Sequence, residues 1–285
     1  MSKSAVVDTH LHLWDTHKLR YPWLDNIPKL NHSFLPDAYR AACETVNIEA
    51  MVFVQCEAEP AMAEAEVDWV HELAKNEKGI KGVVAWAPLE RGESSRSTLE
   101  MLQTKPLVKG VRRLIQSEPD PAFCLQPQFI EGVRGLEEFG FTFDICIDHT
   151  QLANTVKMVQ ACPGVSFVLD HIAKPDIKRQ VLEPWKEELQ LLAELPNVCC
   201  KVSGLVTEAD MEAWQPRDLQ PYIDHVIECF GFDRIMFGGD WPVCTLASTY
   251  RRWIETLEEA LAGYRAEEKQ KLFHDNAVDV YRLEI

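Results

Sequence analysis

A (β/α)8 barrel of the α/β class is the fold this sequence predicts, on three observations. Short apolar runs recur eight times along the chain, helical patterns separate most of them, and polar side chains gather at their carboxyl ends. The runs cover residues 5–14, 50–55, 82–87, 108–115, 141–148, 165–171, 198–203 and 234–240. Several are apolar almost throughout, as in Val52-Phe-Val54 and Phe167-Val-Leu169, the pattern of parallel strands buried on both faces. Helical periodicity occupies 61–75, 128–139, 183–195, 219–230 and 248–261. This alternation suits a closed barrel or an open doubly wound sheet. The count of eight favours the barrel, as does the lack of a Gly-rich turn after the first run, which removes the dinucleotide-binding fingerprint.

Residues 1–285 are expected to form a single domain, a length within the range of one such barrel, with no linker, repeat or low-complexity segment. The stretch 15–36, with its Tyr21-Pro-Trp-Leu24 segment, reads as a long loop after the first strand, either capping the barrel mouth or packing as a lid. Lys plus Arg total 29 and Asp plus Glu 45, a net charge of −16, so nucleic acid and anionic membrane surfaces are poor partners. Nine Cys, an odd number without a Cys-x-x-Cys pair, read as small core residues in a reducing compartment. No apolar run approaches the ~18 residues of a membrane span, and no secretory stretch precedes Asp8, so a cytoplasmic location is expected.

Candidate site residues lie at the run ends: His10 and His12, Glu57, Arg112 and Arg113, Asp148 and His149, Asp170 and His171, Lys201 and Ser203, and Asp240. Side chains two apart on a strand face the same way. Asp8, His10 and His12 are therefore expected on one face, turned into the barrel, with Val7, Leu11 and Leu13 on the other, against the helices. Two buried imidazoles converging on one point suit a metal or an anionic substrate; a pair of satisfied core histidines is the plainer alternative. Asp240 follows two glycines and precedes Trp241-Pro242, where it can ligate a metal, accept a proton from water, or cap the next turn. His171 is expected inward and Asp170 outward. His149 ends its own run in a similar pair. Of Arg112 and Arg113 only one can point inward, where its fork suits a carboxylate or lactone oxygen. Lys201 binds an oxyanion or forms a salt bridge inside the barrel. Trp14, Trp23 and Trp241 fall near the mouth, as platforms for a sugar face or as lid packing. No Gly-x-Ser-x-Gly elbow and no phosphate-binding Gly-x4-Gly-Lys-Ser/Thr loop is present.

Six segments together closely resemble one family. They are Val7-Asp-Thr-His-Leu-His-Leu-Trp-Asp15, Tyr21-Pro-Trp-Leu24, Lys109-Gly-Val-Arg-Arg113, Leu169-Asp-His-Ile-Ala-Lys-Pro175, Lys201-Val-Ser-Gly-Leu205 and Phe237-Gly-Gly-Asp-Trp-Pro242. The Asn276-Ala277 pair extends the likeness, which runs in order from about residue 5 to 283. The family they resemble is the lactonase branch of the amidohydrolase superfamily, which contains sugar-acid lactonases, a sulfomuconolactone hydrolase and a pyrone-dicarboxylate lactonase.

The resemblance implies a distorted barrel and site roles for His10, His12, His171 and Asp240, with a substrate-binding arginine at Arg112 or Arg113. Members differ over metal, so the chain is expected to hold one divalent cation, zinc foremost, at His10, His12, His171 and Asp240, or none. No Lys ends the fourth run to be carboxylated as a bridge, so two metals are not expected. The implied activity is hydrolytic opening of a small lactone, L-fuconolactone or L-rhamnonolactone in type, within carbohydrate catabolism. Asp240 moves the proton and His171 and its neighbours stabilise the oxyanion. Arg112, Arg113, Trp14, Trp23, Lys201 and Trp241 are then the substrate-binding candidates. The alternatives are a metal-dependent decarboxylase of a small aromatic or unsaturated acid, and a non-catalytic binding barrel. A small lactone is the expected partner, and a homodimer is open to a barrel of this kind.

Overall fold

The computed structural model describes residues 5–285. Eight parallel strands follow one another in chain order. They are β1 (Val6–Leu11), β2 (Ile48–Val54), β3 (Ile80–Ala85), β4 (Val108–Val111), β5 (Thr142–Ile145), β6 (Phe167–Leu169), β7 (Val198–Val202) and β8 (Ile235–Phe237). Between β8 and β1 the ladder gives way to single bonds. Thr9 Oγ1 donates to the Phe237 carbonyl at 2.6 Å, Asp240 N to the His10 carbonyl at 2.8 Å and His12 N to the Trp241 carbonyl at 2.8 Å. The sheet is thus a nearly closed (β/α)8 barrel, as the eight runs imply.

Several strands are shorter than their apolar runs. β6 and β8 each hold three residues, and the chain beyond them bends into the irregular turns that carry Asp170, His171 and Asp240. Helices intervene, and their limits follow local chemistry. The helix Pro127–Phe139 starts on a proline, whose missing N–H is not needed there, and stops at Gly140 in left-handed conformation. Among the described residues no helix is long and apolar enough to cross a membrane.

Two apolar regions pack the strands. The inner one joins Val7, Val52, Val54, Val84, Val168 and Met236 to Ala277 and Tyr281 of the helix Asn276–Tyr281, which stoppers the amino-terminal end of the barrel. The outer one joins Leu11, Phe53, Val83, Phe143 and Phe237 to the surrounding helices. Each large side chain buried there contributes roughly 1.5–3 kcal/mol.

β1 departs from simple alternation. Val7 pairs with Ala50 and Asp8 with Met51, but Leu11 pairs with Phe53, so Thr9 and His10 form a bulge with no matching pair on β2. The bulge corrects the expected facing of one residue. Val7 lies inside the barrel and Asp8 turns outward, while His10 and His12 face the interior as expected. Asp8 is fully buried and accepts from Tyr39 Oη (2.8 Å), Tyr250 Oη (3.0 Å), Gly239 N (2.8 Å) and His10 N (3.0 Å). It thereby ties the helices Pro36–Cys43 and Tyr250–Ala260 to both sides of the β1–β8 seam. Burial raises its pKa even against these four donors. A side chain on Gly239 would place its Cβ 2.5 Å from Asp8 Oδ2, which is why the seam needs glycine there.

Asp8→Asn keeps the volume but replaces one acceptor with donors facing donors. It is expected to lower unfolding free energy by about 2–4 kcal/mol, against about 1 kcal/mol for Tyr39→Phe. Urea denaturation of both variants checks this; equal midpoints for Asp8→Asn and the parent would show that the seam is held by something else.

Candidate active site

At the carboxyl ends of the strands lies a cavity of ≈ 310 Å³, bordered by His12, Trp23, Glu57, Arg112, His171, Lys174 and Asp240 among others. Its floor is a cluster of three imidazoles and one carboxylate. Asp240 Oδ1 lies 3.9 Å from His10 Nε2, 3.7 Å from His12 Nε2 and 3.9 Å from His171 Nε2.

Each ring is held by its other nitrogen. His12 Nδ1 is 2.8 Å from the Val54 carbonyl, His171 Nδ1 2.8 Å from Ser203 Oγ, and His10 Nδ1 3.3 Å from Asp170 Oδ1. A carbonyl only accepts, so the His12 proton sits on Nδ1 and its Nε2 turns a lone pair to the cavity; on His10 the Arg112 Nη1 donor, 3.3 Å from Nε2, makes that nitrogen the acceptor and leaves Nδ1 toward Asp170. Burial lowers all three rings. His12 falls to about 3, with Arg112 adding to the effect, and His10 and His171 lie well below their ordinary value, so the rings are neutral at pH 7.

The lone pairs of His10 Nε2 and His12 Nε2 stand 3.1 Å apart, a repulsion that the Arg112 Nη1 donor at 3.3 Å from His10 Nε2 eases and that a cation between the two nitrogens would remove. Nitrogens bound at about 2.0–2.1 Å to one tetrahedral zinc lie about 3.3 Å apart. Donor chemistry, tautomers and spacing therefore fit one divalent ion at His10, His12 and Asp240, with His171 on the same carboxylate. Burial pushes the Asp240 carboxyl up to about 7, and the Lys174 ammonium and Arg112 guanidinium draw it back.

Beneath the cluster, charges balance in pairs. Lys201 Nζ sits 2.6 Å from Asp144 Oδ2 and 3.0 Å from Asp170 Oδ1, while Arg112 Nη1 sits 3.3 Å from Asp170 Oδ2. Tyr281 Oη, from the helix that stoppers the barrel, donates to Asp144 Oδ2 at 2.6 Å. Burial opposes a charge on Asp170, but the Lys201 ammonium, His10 and Arg112 together hold its carboxyl well below the usual range.

The facing of β6's last residues also needs correction. His171, Ile172, Ala173 and Lys174 all have left-handed backbone, with φ of 54°, 50°, 63° and 48°. This turn cancels the alternation that would send Asp170 outward, so Asp170 and His171 both reach the interior and Lys174 reaches the cavity wall. Each such non-glycine residue is strained by about 1–2 kcal/mol. The turn is pinned by Trp185 Nε1 on the Ile172 carbonyl (2.8 Å) and His149 Nδ1 on the Lys174 carbonyl (2.8 Å). Gly204 makes room for it, since a Cβ there would stand 2.5 Å from His171 Nδ1.

Of the residues singled out in the sequence, the structure brings together His10, His12, His171, Asp240, Arg112 and Trp23. It places others elsewhere. Arg113 faces away, with Nε 3.1 Å from Glu90 and Nη2 2.6 Å from Glu118. Lys201 is shut beneath the floor by its two carboxylates. Trp14 is fully buried under Trp23 and Phe34, with Nε1 on the His32 carbonyl, and Trp241 is packed against Phe34 and Tyr39. Both are drawn away from the mouth because the segment after β1 folds over them. His149 holds backbone rather than entering the cluster.

Asp144, Lys174, Gln55 and Tyr281 were not anticipated as part of the site. Asp144 alone had a usable signal, as Thr142 and Asp144 share one face of an otherwise apolar run.

The chain is similar to known proteins over nearly its whole length. The sequence profile of the amidohydrolase family matches residues 7–283. An L-fucono-1,5-lactonase from Burkholderia multivorans is 33% identical over 290 residues, covering 97% of this chain and 96% of that protein. An L-rhamnono-gamma-lactonase from Scheffersomyces stipitis is 23% identical, covering 99% of this chain and 100% of that protein. A crystal structure of an amidohydrolase from Burkholderia multivorans with bound zinc superposes with a TM-score of 0.88 at 31% identity, covering 99% of this chain and 100% of that one. The chain belongs to the amidohydrolase family.

Proposed function

We propose that this protein is a hydrolase that opens the ring of a sugar-acid lactone of the L-fuconolactone or L-rhamnonolactone type. The reading is carried by the convergence of three neutral imidazole Nε2 atoms on Asp240 at the floor of the cavity. The lactonase names of its relatives supply the substrate class.

Asp240 is the proton carrier. As a water molecule adds to the ring carbonyl, its proton passes to the Asp240 carboxylate. When the tetrahedral intermediate collapses, the C–O bond of the ring breaks and Asp240 returns that proton to the departing alkoxide. One water is consumed, and the hydroxy acid gives its carboxyl proton to solvent and leaves as the carboxylate. Negative charge growing on the former carbonyl oxygen falls in a cavity whose cations are Arg112 and Lys174.

Arg112 is fixed by Asp170 and by donation from Nη2 to the Gln55 carbonyl at 2.6 Å. Among the described residues the one ion pair of the Lys174 ammonium is with Glu208, at 4.0 Å, and Asp240 is near enough to feel its charge, which leaves ammonium protons for a ligand. The neutral, acceptor-only Nε2 atoms of His10 and His12 have no proton to offer an oxyanion, which favours a ligand role over direct hydrogen bonding. A divalent ion held by His10, His12, His171 and Asp240 would supply Lewis acidity toward the carbonyl and a more acidic water. Trp23 and Ile27 bring the apolar wall from the segment after β1.

Proton release on a panel of sugar lactones tests the proposal. Asp240→Asn is expected to lower kcat by about 10²–10⁴-fold with little change in KM, and retention of more than a tenth of the parent rate would remove Asp240 as the proton carrier. Turnover is expected to disappear after chelation and return with zinc; a full rate after metal removal would instead make the imidazoles direct partners of the substrate. Lys174→Met is expected to lower kcat/KM by about 10–100-fold, the range of a hydrogen bond to a charged group.

A further inference from the structure

We infer that Glu57 is the residue that selects polyhydroxylated rings, acting as a hydroxyl acceptor on the cavity wall; this rests on the lactone reading of the same site. Glu57 follows β2 in left-handed backbone, with φ of 55°. A non-glycine residue holds that conformation only where its surroundings enforce it, and such positions cluster at ligand contacts.

The enforcing group here is Gln55, itself 1% exposed. Its Oε1 accepts from Glu57 N at 2.6 Å and its Nε2 donates to Glu57 Oε1 at 2.7 Å, so one buried amide fixes both the backbone and the carboxylate of Glu57. The same end of β2 holds two other site groups, with the Val54 carbonyl on His12 and the Gln55 carbonyl on Arg112. Glu57 is therefore set in register with the cluster rather than left as a loose surface acid.

One of its oxygens is taken by Gln55. The other, Oε2, has no hydrogen-bond partner among the described residues, and Glu57 lines the cavity. No ion pair within 4.0 Å joins it to Arg112. A fixed carboxylate oxygen with spare acceptor capacity bonds well to a hydroxyl, and to a vicinal diol better still, since it can accept from both. It repels a ring that presents a carboxylate on that side. A ring without hydroxyls gains nothing from it, and that asymmetry is what a specificity residue supplies.

Hydrolysis-inert lactams separate this inference from the lactonase reading, because they bind without turnover. Calorimetric affinities would be compared for a polyhydroxylated sugar δ-lactam and for unsubstituted δ-valerolactam, on the parent, Glu57→Gln and Glu57→Asp. Glu57→Gln keeps the bond to Gln55, and the shorter Glu57→Asp keeps the charge but withdraws the oxygen. The expected result is a loss of 10-fold or more for the hydroxylated lactam in both variants, with less than 2-fold change for δ-valerolactam. Equal losses for both lactams, full retention in Glu57→Asp, or no binding of the hydroxylated lactam to the parent would each overturn the inference. Failure of the lactonase reading shows separately, as absence of proton release from every lactone by the parent enzyme.

Discussion

The site depends on the burial of Asp170. A carboxylate removed from water must be matched by positive charge and donors or it does not stay ionised. Here the match comes from Lys201, Arg112 and His10, on three different strand ends. Those partners are fixed by the same contacts. Lys201 is held between two acids, the Arg112 fork is oriented toward the cavity, and His10 is set in the tautomer that presents its lone pair. Asp144 completes the balance with a second negative charge, and Tyr281 closes it from the stoppered end. The polar floor is therefore one electrostatic unit, and the cavity above inherits its geometry.

Two irregularities in the strands build the cluster on that floor. The bulge at Thr9–His10 separates Asp8 from the imidazoles and assigns it to the seam. The left-handed turn at 171–174 brings an acid, an imidazole and an ammonium from five consecutive residues to the interior. A regular strand can send only alternate side chains inward. Crowding this many polar groups into one barrel mouth thus requires breaking the alternation, and both breaks are secured by bonds from outside the strands concerned.

That explains which features could be read from the sequence. Eight buried parallel strands leave a period and a composition in the chain, so the barrel was legible, as were His10, His12, His171 and Asp240 as polar residues at strand ends. Facing was legible only while alternation held. Alternation puts Asp8 inward and Asp170 outward, and the bulge and left-handed turn that reverse them are made of ordinary residues, with no marker such as glycine at the positions that adopt them. Arg112 and Arg113 illustrate the middle case: alternation required that one point inward, but only the neighbours Glu90 and Glu118 decide that Arg113 is the outer one. Lys174 and Gln55 act through backbone conformation and a side-chain clamp, and neither has a spacing that announces it.

The turn at 171–174 also bears on how this protein could be engineered. Ile172 and Ala173 hold left-handed backbone without the freedom of glycine, so glycine at either position would relieve backbone strain. It would also widen the set of conformations open to the segment between His171 and Lys174. A thermostability screen scoring only strain would therefore favour changes that blur the placement of two site residues. The residual tension in those four residues is better understood as a specification of position, and improvements in heat resistance are better sought on the outer helices.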